Sequence, residues 1–257
     1  MSRFAVRCAG FACAVLVATL CGARAQERTV PDVVTRASVQ YASQVKGLVG
    51  MQRHFNTVID AGIVKHREAS DSGMLMREGA FVEAKYYKIA DDGRAFTTKQ
   101  IDDRDAETNK GWSEGKIFFK EPYDPRFMAD YRFAAAACAD CRTGTVAVAF
   151  TSDLRDTQHG NGTLVIDEAA GRIEKTTYVP NALPPHATTG RVTETSTQAL
   201  PDLWYVTRIE EVYEGRAFLL KGSATFIATF DHFQRFATVA EGETAVREGT
   251  IGVASNR

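Results

Sequence analysis

Beyond its first two dozen residues this sequence has no long apolar run, and nothing later approaches the roughly 20 consecutive apolar residues of a membrane-crossing helix. It is poor in proline, with seven in 257 residues, and has no Pro/Gly/Ser-rich tract that would mark a linker, so a single domain is expected. It has no basic excess either. Lys and Arg total 31 against 32 Asp and Glu, which removes the electrostatic footprint of a nucleic-acid or anionic-membrane binder. Sharp catalytic signatures are also missing: there is no G-x-S-x-G elbow, no H-E-x-x-H pair, no glycine-rich phosphate loop and no D-x-D-x-D-G calcium loop. These gaps lower the expectation of an enzyme without excluding one. They imply no cofactor and no metal.

What is present begins with an address. In MSRFAVRCAGFACAVLVATLCGARAQ, Arg3 and Arg7 precede an uncharged, largely apolar run from Cys8 to Ala23, and Ala23-Arg24-Ala25 has the small-x-small form of a cleavage site. This reads as a secretory signal peptide over residues 1–25, leaving a soluble chain that starts at Gln26 and is expected in the periplasm. Cys21 is not read as a lipid-anchor site, because Leu20 stands where such processing wants a small residue. Removing Arg3, Arg7 and Arg24 makes the remainder more acidic.

Three of the five cysteines, Cys8, Cys13 and Cys21, leave with that segment, so Cys138 and Cys141 remain, spaced C-x-x-C. A redox pair wants its first thiol at a helix N-terminus, and Cys138 instead lies between two strand-like segments. A zinc site would need two further ligands from His54, His66, His159, His186 and His232. In an oxidising compartment the favoured reading is a disulfide stapling a hairpin tip.

Val34, Ala37, Tyr41, Val45 and Leu48 fall on one stripe of an amphipathic helix that opens near Thr29 and is ended by Gly47 and Gly50. Phe81 to Ala90, the turn Asp91-Asp92-Gly93 and Ala95 to Ile101 read as a hairpin, and Asp102 to Glu114 is open between short helix and loop. Strands are expected at Tyr131 to Ala137, Thr145 to Ser152, Gly162 to Asp167, Arg172 to Val179, Thr188 to Thr197, Leu203 to Tyr213 and Ala217 to Phe230. Connections this short force antiparallel neighbours. The fold class is therefore mainly β (α+β): a curved antiparallel sheet, a half-open β-barrel, wrapped around the N-terminal helix.

The signal, the early helix and the meander centred on GTLVIDEAAGRIEK (Gly162 to Lys175) together resemble the lipoprotein-carrier family of exported bacterial proteins, LolA/LolB-like, over Val30 to Phe236. That resemblance implies an incomplete barrel with helices in its mouth that carries acyl chains between membranes. The expected function is thus binding of an apolar ligand, an acyl chain or lipid, by a monomer with transient contact to a membrane or envelope protein. A cavity would be lined by the inward faces of the last two strands, with Trp204, Val206, Phe218, Leu220, Phe226 and Phe230 as the candidate lining residues. Two alternatives stand beside this. Counting strand reversals puts Asp156, His159 and His186 at one rim, a polar cluster suited to a hydrolase. A sheet filled by its own side chains would instead make a structural or partner-binding protein.

Overall fold

The computed structural model describes residues 30–253, apart from 63, 116–118, 139–140 and 218–219. The segment 1–25 and Thr29 therefore lie outside the described residues. Helix α1 (Val30–Gln44) comes first, and Gly47, with φ +84°, turns the chain into the strands β1 (Leu48–Asp60) and β2 (Lys65–Arg77). Strands β3 (Ala80–Asp91) and β4 (Arg94–Ala95) follow, then helix α2 (Thr98–Ser113). After a short 3-10 turn at Met128–Asp130 the chain makes a seven-stranded meander. Its strands are β5 (Arg132–Ala136), β6 (Thr145–Thr151), β7 (Gly160–Asp167), β8 (Arg172–Pro180), β9 (Ala187–Leu200), β10 (Leu203–Ala217) and β11 (Leu220–Phe236). Helix α3 (Val239–Glu248) closes the described chain.

All strands join one 11-stranded antiparallel sheet in the order β4-β3-β2-β1-β11-β10-β9-β8-β7-β6-β5. β4 and β5 are its two edges, so the sheet does not close into a barrel. It does curl. Helix α1 packs against β5, β8 and β10 alike, although five strand spacings separate the outer two, about 24 Å if the sheet were flat. A helix about 10 Å across meets all three only if the sheet bends around it. The half-open architecture expected from the sequence is the one observed.

The inner face is filled from one side by α1, whose Val33, Val34 and Ala37 pack on Val148, Phe150, Leu164, Ile166 and Val192. On the other side α2 lies along the free edge of β3. Asp105 accepts the Tyr86 N–H at 2.7 Å, and Asn109 both accepts from Ala84 N–H and donates to its carbonyl at 2.9 Å, which occupies edge groups that would otherwise invite another strand. Helix α3 covers the outer face of β1–β3 through Leu48, Leu75, Phe236, Ala245, Val246 and Ile251.

Two expectations are corrected. Ala95 to Ile101 is not a strand: Thr97 and Gln100 form a capping box that starts α2, which also takes in most of the undecided Asp102 to Glu114. Gly50 does not end the first helix but lies inside β1, where a Cβ would press on the Phe236 ring. Two long strands, β1 and β2, occupy the stretch between the first helix and the Phe81 hairpin, and α3 follows the last strand, neither of which the sequence pattern marks. No helix among the described residues is long and apolar enough to cross a membrane.

Candidate functional site

Between the parts of the inner face taken by α1 and α2 the sheet is left uncovered over β1, β11, β10 and β9. Register shows what points into that gap. Phe55 pairs with Ala228, Ala228 with Ile209, Ile209 with Glu194 and Glu194 with Thr176, one row running from β1 to β8. In the adjacent row Phe226 pairs with Glu211, and Glu211 with Val192. Over these rows lies a cavity of about 600 Å³.

Its walls are largely apolar. Met51 and Phe55 of β1, Met74 and Met76 of β2, and Tyr205, Val206, Ile209, Phe226, Ala228 and Phe230 of β10 and β11 form the floor. Trp112 of α2, edge-to-face with Phe81 at 3.7 Å between ring centroids, closes one end. The segment 119–127 crosses the other side, with Phe119 stacked on Tyr178 and Phe127 lining the opening. Unbranched thioethers beside rigid rings suit a surface that adapts to a flexible apolar guest.

Four carboxyl groups interrupt this lining: Asp124, which is paired with Arg126, and three glutamates, Glu121 on the crossing segment, Glu194 on β9 and Glu211 on β10. Glu194 is only 3% exposed, and Oε1 accepts from the Tyr178 hydroxyl at 3.4 Å. Burial pushes Glu194 up to about 7; nearby Glu211 adds to the rise, while Glu121 and Tyr178 restrain it. Burial also raises Glu121 well above the usual carboxylate range, reinforced by the neighbouring Glu194 charge. Glu211 is raised by burial as well, against a 3.0 Å hydrogen bond from Tyr213. Oε2 of Glu121 and Oε2 of Glu194 are buried, and neither makes a hydrogen bond of ordinary geometry among the described residues.

Two cations, Arg53 and Arg126, share the cavity wall. Arg126 grips Asp124 through Nε and Nη2, at 2.9–3.0 and 2.5 Å. Arg53 donates to the Tyr86 hydroxyl at 2.8 Å and lies over the rings of Phe55 and Tyr86.

Of the lining residues named from sequence, Val206, Phe226 and Phe230 border the cavity. Trp204 borders a separate small recess beside Ala37 and Tyr123, and its indole donates to the Ile173 carbonyl at 2.6 Å. Leu220 opens β11, and Phe218 lies outside the described residues. Asp156 and His159 meet, with Nδ1 at 2.8 and 2.9 Å from the carboxylate, and Nε2 lies 3.3 Å from Asp130. The His159 side chain is fully buried. It ties β7 to the turn before β5. His186 has its backbone against the β10 end, where its carbonyl accepts from Arg216 N–H, and no hydrogen bond joins it to Asp156 or His159 among the described residues. Cys138 and Cys141 are joined as a disulfide between β5 and β6. The one grouping with metal-ligand spacing among the described residues is His66, Asp91 and Asp92, within 4.8 Å at the surface, where His66 ion-pairs with both carboxylates. The three cavity glutamates escaped sequence reading, because only register shows that Glu194 and Glu211 point inward.

No family model and no curated protein matches the chain. Among solved structures it is similar to an outer membrane lipoprotein-sorting protein domain from Vibrio parahaemolyticus, at 12% identity and a TM-score of 0.41, over 85% of this chain and 97% of that one. A LolA superfamily protein from Nitrosomonas europaea matches at 8% identity and 0.41, covering 83% and 97%. A DUF1329 family protein from Desulfovibrio piger matches at 8% and 0.41, covering 84% and 98%.

Proposed function

We propose that the protein is an exported periplasmic binder or carrier of an apolar ligand, an acyl chain or lipid, held on the uncovered inner face of the half-barrel. One observation carries this reading: the cavity of about 600 Å³ walled by methionine and aromatic side chains, a volume within the roughly 300–1,000 Å³ of small-ligand sites. A sheet filled by its own side chains would leave no such space. The hydrolase alternative has less support, since the His159 ring is fully buried and bonded at both nitrogens. Export follows from the reading of residues 1–25 as a signal peptide, with residues 26–257 as one β-rich domain.

The test is native mass spectrometry of protein taken from the periplasmic fraction, followed by organic extraction. The expected result is a chain starting at Gln26 with a co-purifying lipid or fatty acyl species. A chain that emerges empty, and stays empty after incubation with phospholipid vesicles, would remove the carrier reading. An intact mass that still contains Met1 to Ala25 would remove the export reading.

A further inference from the structure

The three cavity glutamates are unexplained by an alkyl chain. A pocket meant only for hydrocarbon has no use for them, since a buried carboxyl without a partner costs more than an apolar residue of similar size. They also converge from separate elements, the 119–127 segment, β9 and β10, on one cavity. Oε2 of Glu194, a residue only 3% exposed, and Oε2 of Glu121 are both buried without a hydrogen bond of ordinary geometry among the described residues, and the two carboxyls lie close enough to act on each other.

Among the described residues no cation acts measurably on the three glutamates. The groups acting on Glu194 are Glu121, Glu211 and Tyr178, none of them a cation. Arg126 is spent on Asp124. Arg53 lines the same cavity from β1, two strand spacings from Glu211 on β10 and three from Glu194 on β9, about 10 and 14 Å along the sheet, and its Nη2 is given to the Tyr86 hydroxyl.

We propose that this acidic wall seats the ammonium group of an amphiphile, with the N–H donors directed at Glu121, Glu194 and Glu211 and the apolar body lying along Met51, Phe55 and Phe226. A primary ammonium offers three donors and one positive charge, which matches converging carboxyls whose hydroxyl donors, Tyr178 and Tyr213, still leave Oε2 of Glu121 and Oε2 of Glu194 without a hydrogen bond. A hydroxyl head would satisfy an oxygen but offer no counter-charge as the carboxyls ionise. A carboxylate or phosphate head would meet like charge. The assignment rests on the cavity being a ligand site, and it adds the chemistry of the ligand's polar end.

Binding of such a head strengthens as the carboxyls ionise. The other titratable or charged groups facing them are Tyr41 of α1, Arg53 of β1, Tyr178 of β8, Tyr205 and Tyr213 of β10, and Tyr123, Asp124 and Arg126 of the crossing segment. All these tyrosines are raised above their ordinary value by burial first, so they stay neutral through the working range.

The test is titration of the full exported chain with dodecylamine, dodecanol and dodecanoate, followed by tryptophan fluorescence. Dodecylamine is expected to bind at least about tenfold more tightly than the other two near pH 8, and to lose that advantage near pH 5.5. Glu194→Gln, and independently Glu211→Gln, should weaken dodecylamine by about tenfold more than they change dodecanol. Equal affinity for amine and carboxylate in the unmodified protein overturns the ammonium seat while leaving the apolar-ligand reading in place, and needs no variant to fold. Failure of all three chains to bind overturns both. Vesicles of phosphatidylethanolamine and of phosphatidylglycerol separate the two sources of the head: selective extraction of phosphatidylethanolamine puts the ammonium on a lipid, and amine binding without it puts the ammonium on a free alkylamine.

Discussion

The hydroxyl of Tyr87 on β3 donates a 2.7 Å hydrogen bond to the carbonyl of Val246 in the last turn of α3. The ring reaches that carbonyl across Gly73 of β2, where any Cβ would run into the Tyr87 hydroxyl. Gly73 is thus the close approach that lets α3 dock on the outside of the sheet. Gly73→Ala should cost about 1–3 kcal/mol in urea denaturation by overpacking. Tyr87→Phe should cost about 1 kcal/mol for the lost hydrogen bond. In the Tyr87→Phe background the Gly73→Ala cost should shrink, because the colliding oxygen is gone, and simple additivity of the two changes would contradict the packing described.

The same helix shows what the sequence leaves legible and what it hides. The meander from β5 to β11 was readable because each strand is bounded by a short turn and one face alternates apolar with polar residues. β2 was not, because Gly73-Met74-Leu75-Met76 is buried on both faces, Met74 and Met76 toward the cavity side and Leu75 toward α3, so alternation is erased. Helix α3 carries its own signals, with Thr238 capping the Glu241 N–H and Gly249 in the left-handed region, yet its apolar face is narrow and gains meaning only from the sheet it covers. The site is a similar case. Phe226 and Phe230 were visible from strand alternation, whereas the convergence of Glu121 with Glu194 and Glu211 depends on a crossing segment that has no periodicity at all.

Phe226 and Thr225 are neighbours in β11 with opposite outlooks. Phe226 borders the cavity and stacks on Phe55 at 6.2 Å between centroids, while Thr225 pairs with Val58, which is 41% exposed on the outer face. Phe226→Asp should abolish uptake of a fluorescent fatty acid or destabilise the fold by several kcal/mol, since it places a further carboxylate beside Glu211. Thr225→Asp should leave both within about 0.5 kcal/mol of the parent. Equal behaviour of the two variants would mean that the register of β11 is wrong.

The Cys138–Cys141 bond spans only three positions. Closing so short a loop removes little freedom from the unfolded chain, about 2 kcal/mol on the chain-entropy estimate. Replacing both cysteines with serine should therefore lower stability by no more than that and leave ligand uptake unchanged. Loss of uptake at full stability would instead give the pair a redox role.

The buried acids give the fold a pH dependence of definite sign. Glu194 is pushed up to about 7 by burial, and burial raises Glu121 and Glu211 in the same direction, so the folded chain holds these protons more tightly than the unfolded one. A raised carboxyl stabilises most below its unfolded value, roughly 4.3, and that contribution is lost as pH climbs through the folded value. Asp156 works oppositely: although burial disfavours its charge, bonds from His159 and Gln158 hold it below its ordinary value, so its contribution fades only in stronger acid. Between about pH 5 and pH 8 the glutamates dominate, and the stability they contribute is lost across that span. Urea midpoints should fall steadily over this range in the ligand-free protein, and Glu194→Gln, which cannot ionise, should flatten the fall. Midpoints that rise toward pH 8 would show that these carboxyls are solvated in the folded state, contrary to their burial here.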